Sequence, residues 1–318
     1  MEVERKKFKF EILISRYFGN FSKIILANLI FAIPSVFVFS LLYYINSIFF
    51  ERPNYFIFLT SVIFLYPFFS GVVAAVRNIA RGDDDFKVFD FYIKTLKENF
   101  LSFLLHGVVL YIASALSFLS ISLYIRLLAI SGIFYVLLFV CFLIVLLVFF
   151  ASYYIGVMSV TFDISPINVY KNSLLMSFGE IKNNFFATVW LLAFLIIFAS
   201  IATIMAFSKS VIALAIVCAV FYIFIIPATA EYIIVFYIYD GMYSLIFNKA
   251  DRQKELEATI SNGGKKPEKK SLDFSDNFSD IDIANLKDTD DYIFYNGKMI
   301  KQSAILKQLK EREINNDE

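Results

Sequence analysis

The chain has 318 residues, 59% of them hydrophobic and 39 of them Phe, with a formal net charge of +1 and a mean hydropathy of +0.70. Such a composition excludes an ordinary soluble globular domain. The near-zero charge singles out no partner, and no nucleic-acid partner is expected. The run from Leu127 to Phe162 has no Asp, Glu, Lys, Arg or His, and so long an apolar stretch belongs in a bilayer.

In chain order, a cationic amino terminus with Arg5, Lys6, Lys7, Lys9, Arg16 and Lys23 leads into a first apolar span at about Ile24 to Ile48. That span starts late, is too long for a signal-peptide core and has no small-residue cleavage pattern behind it. It is expected to stay in the membrane. Further spans follow at about Tyr55 to Val76, Phe100 to Leu123, Leu128 to Val160, Phe185 to Phe207 and Val211 to Ile238. Each exceeds the roughly 20 apolar residues needed to cross the hydrocarbon. A backbone in lipid must satisfy its own hydrogen bonds, so these are expected to be helices. The predicted fold is all-α: a six-helix membrane domain over residues 1–248. Cys141 and Cys218 lie in mid-span and read as packing thiols.

Orientation follows from the loops. Arg77, Arg81, Lys87, Lys94 and Lys97 lie between the second and third spans, and Lys171 and Lys182 between the fourth and fifth, whereas the opposite loops have only Arg52, Arg126 and Lys209. Both termini are therefore expected in the cytoplasm.

The chain also resembles itself. An offset of 85 aligns Phe64 with Phe149, Gly71 with Gly156, Lys97 with Lys182 and Asn99 with Asn184, and an offset of 79 brings Asn20 and Phe21 onto Asn99 and Phe100. The placement reads as three hairpin units, each an interfacial helix, a span, a short outer loop and a span; chance recurrence of Asn-Phe in so Phe-rich a chain is the competing account. The interfacial helix of the second unit is predicted from Phe86, Phe89, Ile93 and Leu96, which recur at helical spacing with Asp85, Lys87, Asp90, Lys94 and Lys97 around the rest of the wheel. Lys171 to Lys182 is a weaker copy. These are either plain amphipathic connectors or moving, partner-docking elements.

Few residues carry chemistry. No metal-ligand spacing, phosphate-binding glycine loop or nucleophile elbow is visible, and no cofactor is expected. His106, the one histidine, lies in the third span; it reads as a helix-to-helix hydrogen bonder or as a catalyst. Glu231 is the sharper feature, since a carboxylate inside an apolar helix is costly and usually faces the bundle interior. It follows Pro227 by one turn, and that proline leaves the carbonyl of Ile223 without its usual partner. Glu231 forms either a polar, kinked site or an interfacial group that snorkels or pairs with an arginine. Arg77 and Arg81, four apart, share a helix face. They either anchor the span or grip lipid phosphate or an acidic partner.

Asn28-Leu-Ile-Phe-Ala-Ile-Pro34, then Gly71-Val-Val-Ala-Ala-Val-Arg-Asn-Ile-Ala-Arg-Gly82 leading to Asp90-Phe91 and Lys97-Glu-Asn-Phe100, resemble the YesL-like family of bacterial membrane proteins. The resemblance covers the first half of the chain; the long fourth span and the tail depart from the family pattern. It implies an integral membrane protein accessory to carbohydrate uptake, and no catalytic residue. Asp90, Lys97 and Asn99 join the candidate binding residues on these grounds, beside Glu231, His106, Arg77 and Arg81.

Beyond Lys249 the composition changes. Asn262-Gly-Gly-Lys-Lys-Pro267 is linker chemistry and Ser271 to Asp291 is rich in Asp and Ser, interrupted by Phe274, Phe278, Ile281 and Ile283. Residues 249–318 are expected to form a largely disordered cytoplasmic tail with a small hairpin-helix module at 292–313. There Asn296-Gly297 turns between apolar runs, and Ser303 caps a helix containing Ile305, Leu306 and Leu309. Such a module is too small to bury a core alone. The leading functional expectation is a non-enzymatic protein that assists or regulates a transport system, with the bilayer and transporter subunits as partners. The rival is a transporter of a small solute or lipid past Glu231, His106 and the Pro227 kink.

Overall fold

The computed structural model describes residues 9–83, 85–207, 210–261, 292–295, 298–303 and 305–307. A short helix α1 (Lys9–Gly19) precedes the first span, α2 (Phe21–Phe49). The second span joins α3 (Tyr55–Leu59) to α4 (Ser61–Arg81), and the third and fourth are α5 (Val88–Leu127) and α6 (Ile133–Thr161). After α7 (Pro166–Gly179) come α8 (Ile181–Phe207), α9 (Val211–Phe224) and α10 (Ile226–Ser261), then the strands β1 (Tyr292–Tyr295) and β2 (Lys298–Lys301). Among the described residues, five helices are long and apolar enough to span a membrane. A bent pair, Ile212–Phe224 with Ile226–Tyr243 at 46°, makes a sixth. The protein is an all-α, multi-pass membrane protein.

Three elements differ from the sequence expectations. The sixth span is broken at Ile225, just ahead of Pro227, because the proline ring cannot pack beneath the carbonyl four residues earlier. The stretch Phe86 to Lys97 is not a separate interfacial helix. From Val88 it forms the opening turns of the 40-residue α5, which at about 60 Å is twice the thickness of the hydrocarbon. Its buried stripe is Val88, Tyr92, Thr95, Asn99 and Phe103, while Phe89 is 59% exposed. Packing against α4 thus outweighs the amphipathic pattern. Finally, α10 continues as helix past Lys249 to Ser261.

α4, α6 and α10 follow one another as alternate spans and therefore run in the same direction. The last halves of α4 and α6 and the first half of α10 form the core: Ser70–Ala80 of α4, Tyr153–Thr161 of α6 and Tyr232–Tyr239 of α10 are buried. α4 sits centrally, against α2, α5, α6 and α10. It closes on Gly82, whose φ of 85° suits glycine, with Asp83 N–H donating to Asn78 O and Gly82 N–H to Ile79 O. A Cβ on Gly71 would stand 2.5 Å from the Tyr92 ring, so glycine there is what lets α5 approach α4. The 85-residue offset that pairs Gly71 with Gly156 also reaches Gly241, whose Cβ would meet Glu180 at 2.5 Å. Lys9 and Asp240 lie 3.7 Å apart, and Tyr232 OH donates to Leu13 O at 2.9 Å. The amino-terminal helix and the end of the sixth span therefore meet on one face, hereafter the terminal face.

β1 and β2 pair antiparallel with Tyr295 opposite Lys298; the expected Asn296-Gly297 turn lies outside the described residues. Gln302, Ser303 and residues 305–307 are helical, so Ser303 lies within that helix instead of ahead of it. β2 packs against α6, and Ile305 is buried. The expectations for residues 1–8, for the tail segment 262–291 with its four apolar residues, and for Leu309 lie outside the described residues.

Candidate functional site

Polar groups in a bilayer must find partners inside the protein, and the inner spans of this chain carry a series of them. Nearest the terminal face is Arg77. Its side chain lies on the buried face of α4 and is 1% exposed. One guanidinium nitrogen donates to Val160 O at 2.7 Å, and two others donate to Asn78 Oδ1 at 3.1 and 2.7 Å. Val160 lies at the end of α6, where carbonyls lack intrahelical partners and the helix dipole favours a cation. Arg77 is thus a buried clamp between α4 and α6, and the expected grip on lipid phosphate does not fit it. Arg81 turns toward α10, with its guanidinium carbon 5.9 Å from the Tyr239 ring centroid. Arg16 of α1 donates to Ala80 O and so ties α1 to the end of α4.

Three asparagines stand where the three units enter their odd spans. Asn20 donates to Arg16 O at 3.3 Å and Asn99 to Thr95 O at 2.9 Å, while Asn184 donates to Met176 O and Ser177 O at 3.2 Å each. All three are buried. Each amide supplies a donor to the carbonyls of the segment before it. The backbone breaks at Asn20 and at Glu180 but passes through Asn99 without a break. Tyr154 OH completes the third case by donating to Asn184 Oδ1 at 2.6 Å.

Asn28 does similar work at the broken span. Its amide nitrogen donates to Tyr222 O at 2.9 Å and Ile223 O at 2.7 Å, and its oxygen accepts from Ala228 N–H at 2.7 Å. The carbonyl freed by Pro227 is therefore satisfied by a side chain from α2. Residue-level reading of the sequence missed this role, and Asn28 entered only through the family resemblance. The available signal was an amide within an apolar span, the same signal that picked out Glu231.

His106 is fully buried and hydrogen-bonded. Nδ1 is 2.7 Å from Tyr170 OH, and Nε2 is 2.8 Å from Ser159 Oγ and 3.2 Å from Ser102 Oγ. Ser159 spends its own hydrogen on Ile155 O at 2.8 Å, so Nε2–H donates to Ser159, and Nδ1 accepts from Tyr170. That assignment is a neutral imidazole joining α5, α6 and α7. Burial pushes the Tyr170 phenol above its ordinary value, which keeps it a donor at neutral pH.

Glu231 lies nine residues before Asp240, about 13 Å deeper along α10 and so near mid-membrane. It is half-buried and within electrostatic reach of Tyr66 of α4 and Tyr153 of α6. No arginine or lysine acts on it, so neither snorkelling nor an arginine pair describes it. Tyr66 also reaches Tyr170. Its hydroxyl lies 3.3 Å from where a Cβ on Gly156 would stand, and its ring stacks on Phe103 at 5.2 Å. His106 thus sits in a hydrogen-bonded cluster with Tyr170, Ser159 and Ser102, and Tyr66 lies within electrostatic reach of both Glu231 and that cluster's Tyr170. Asp90 and Lys97 are exposed on α5 and take no part in it; Arg77, Arg81 and Asn99 belong to the terminal-face clamps. Among the described residues no group of three or more His, Cys, Asp or Glu is placed to hold a metal. The chain matches no known protein family, no curated protein and no solved structure.

Proposed function

We propose that this is a non-enzymatic membrane protein that assists or regulates a transport system, with both termini in the cytoplasm. The observation that carries the reading is the seat of the tail: β2 lies against α6 and Ile305 is buried. A segment beyond the membrane domain is thus held beside it, where the cytoplasmic parts of a transporter would meet it. The use of Arg77, Asn28, Asn184 and His106 as ties between helices supports a scaffold over a reaction centre. The resemblance to the YesL-like family favours carbohydrate uptake as the system served. The test is affinity purification in mild detergent from the native membrane, comparing the full chain with one ending at Ser261, where α10 stops. Transporter subunits that co-purify with the first and not the second support the proposal; a protein that emerges alone in both forms removes it.

One observation favours a second reading, a transporter of a small solute or lipid. Glu231 sits near mid-membrane, half-buried and with no cation acting on it, six residues past a broken span, and intramembrane carboxylates mark solute pathways. Loss of solute flux in Glu231→Gln with assembly intact supports that reading, and unaltered flux rejects it.

A further inference from the structure

Of all polar groups in the inner spans, Glu231 is the one whose surroundings leave its charge uncompensated. The titratable groups facing it are Tyr66 from α4 and Tyr153 from α6, both neutral hydroxyls. Tyr153 bonds Thr188 of α8 at 2.9 Å. α2 beyond Lys23, α8 beyond Lys182 and all of α9 carry no Asp, Glu, Lys or Arg. Tyr222 of α9 is bonded to Ser35 of α2, and Tyr17 of α1 to Thr229, two residues before Glu231, at 2.9 Å. A lone carboxylate at that depth is costly unless something neutralises it. The surroundings supply hydroxyls and no cation.

A route leads to it. On α6, Tyr153, Gly156 and Ser159 are spaced three apart and share a face. Gly156 makes room for the Tyr66 hydroxyl, and Ser159 holds His106. Tyr66 is within electrostatic reach of both Glu231 and Tyr170, and Tyr170 is bonded to His106. Tyr170 belongs to α7, which follows the terminal-face end of α6. Hydroxyl and imidazole groups therefore run from that face to mid-membrane.

We propose that Glu231 is a proton-binding site, loaded from the terminal face through Tyr170 and Tyr66, with His106 holding Tyr170 in place. The step is a reversible transfer of one proton from water to a carboxylate oxygen. The use of the proton rests on the second reading above; its binding does not.

The test uses the full chain in sealed vesicles and dicyclohexylcarbodiimide, an apolar reagent that modifies carboxyl groups in their protonated form, with mass spectrometry to locate the adduct. The expected result is modification of Glu231 that falls about tenfold per pH unit above its midpoint, as single-proton loss requires. With pH set separately on the two sides, labelling follows the side that bears the tail. Glu231→Gln abolishes the adduct, Asp240→Asn leaves it in place, and Tyr66→Phe, which removes one hydroxyl, weakens the response to that side. A folded protein whose Glu231 is unlabelled at every pH overturns the proposal. So does labelling that follows the opposite side, or protection by sodium at constant pH, which would assign the site to a metal cation. Absent solute flux with labelling intact would remove the transport reading and leave the proton site standing.

Discussion

The half of the bundle at the terminal face and the half away from it are built on different terms. Near the terminal face, the last halves of α4 and α6 and the stretch Tyr232–Tyr239 of α10 are buried almost completely, with Arg77, Asn99, His106 and Asn184 among the buried groups. Away from it, no described residue is buried from Val108 to Phe149 or from Thr188 to Pro227. Yet the far half is the more apolar of the two in sequence. Apolarity alone gives helices no reason to prefer one another over lipid tails; close packing and interhelical hydrogen bonds do. The terminal half has glycines at its helix contacts and amides at its helix breaks. In the far parts of α5, α6, α8 and α9 the chain is Phe, Leu and Ile all round, and lipid serves those as well as protein does; α2 and the start of α4 keep a few buried residues there, Leu42, Asn46 and Leu65 among them.

Substitutions in the two halves test that contrast. Arg77→Met should have the largest effect, lowering stability by about 3 kcal/mol, because Val160 O and Asn78 lose a charged donor where no water replaces it; thermal unfolding in detergent measures it. Gly71→Leu should cost about 1–3 kcal/mol by driving a side chain into the Tyr92 ring, and Tyr92→Ala in the same chain should restore part of the loss. Asn28→Leu should cost about 1–2 kcal/mol. It should also widen the distribution of distances between spin labels on α9 and α10, since the amide is what spans the break. Ile196→Ala and Phe207→Ala, at 62% and 81% exposed, should stay within about 0.5 kcal/mol of the parent. If they destabilise as much as the terminal-half changes, the far half is held by protein contacts and the contrast fails.

Hydropathy and helical length made the spans legible, and Pro227 announced the place where the sixth span breaks. What hydropathy does not encode is which face of a uniformly apolar helix turns inward, and so Tyr66 gave no sign that its hydroxyl would lie against Gly156 of α6. The amphipathic pattern at Phe86 to Lys97 misled for a related reason. It scored Phe89 as apolar and therefore covered, whereas the real contact stripe runs through Tyr92, Thr95 and Asn99, chosen by fit against Gly71 and α4. Arg77 looked like an anchor because arginines at span ends usually are. Only the position of Val160 O shows that it is a clamp.

The meeting of Lys9 with Asp240, and of Leu13 with Tyr232, means that the hairpins close on themselves. The order in which they leave the ribosome is then not what fixes their arrangement. A circularly permuted gene that began at the second hairpin and joined α10 to α1 through a short linker would encode the same neighbours, and each hairpin could enter the bilayer as its own insertion unit before the ring assembles.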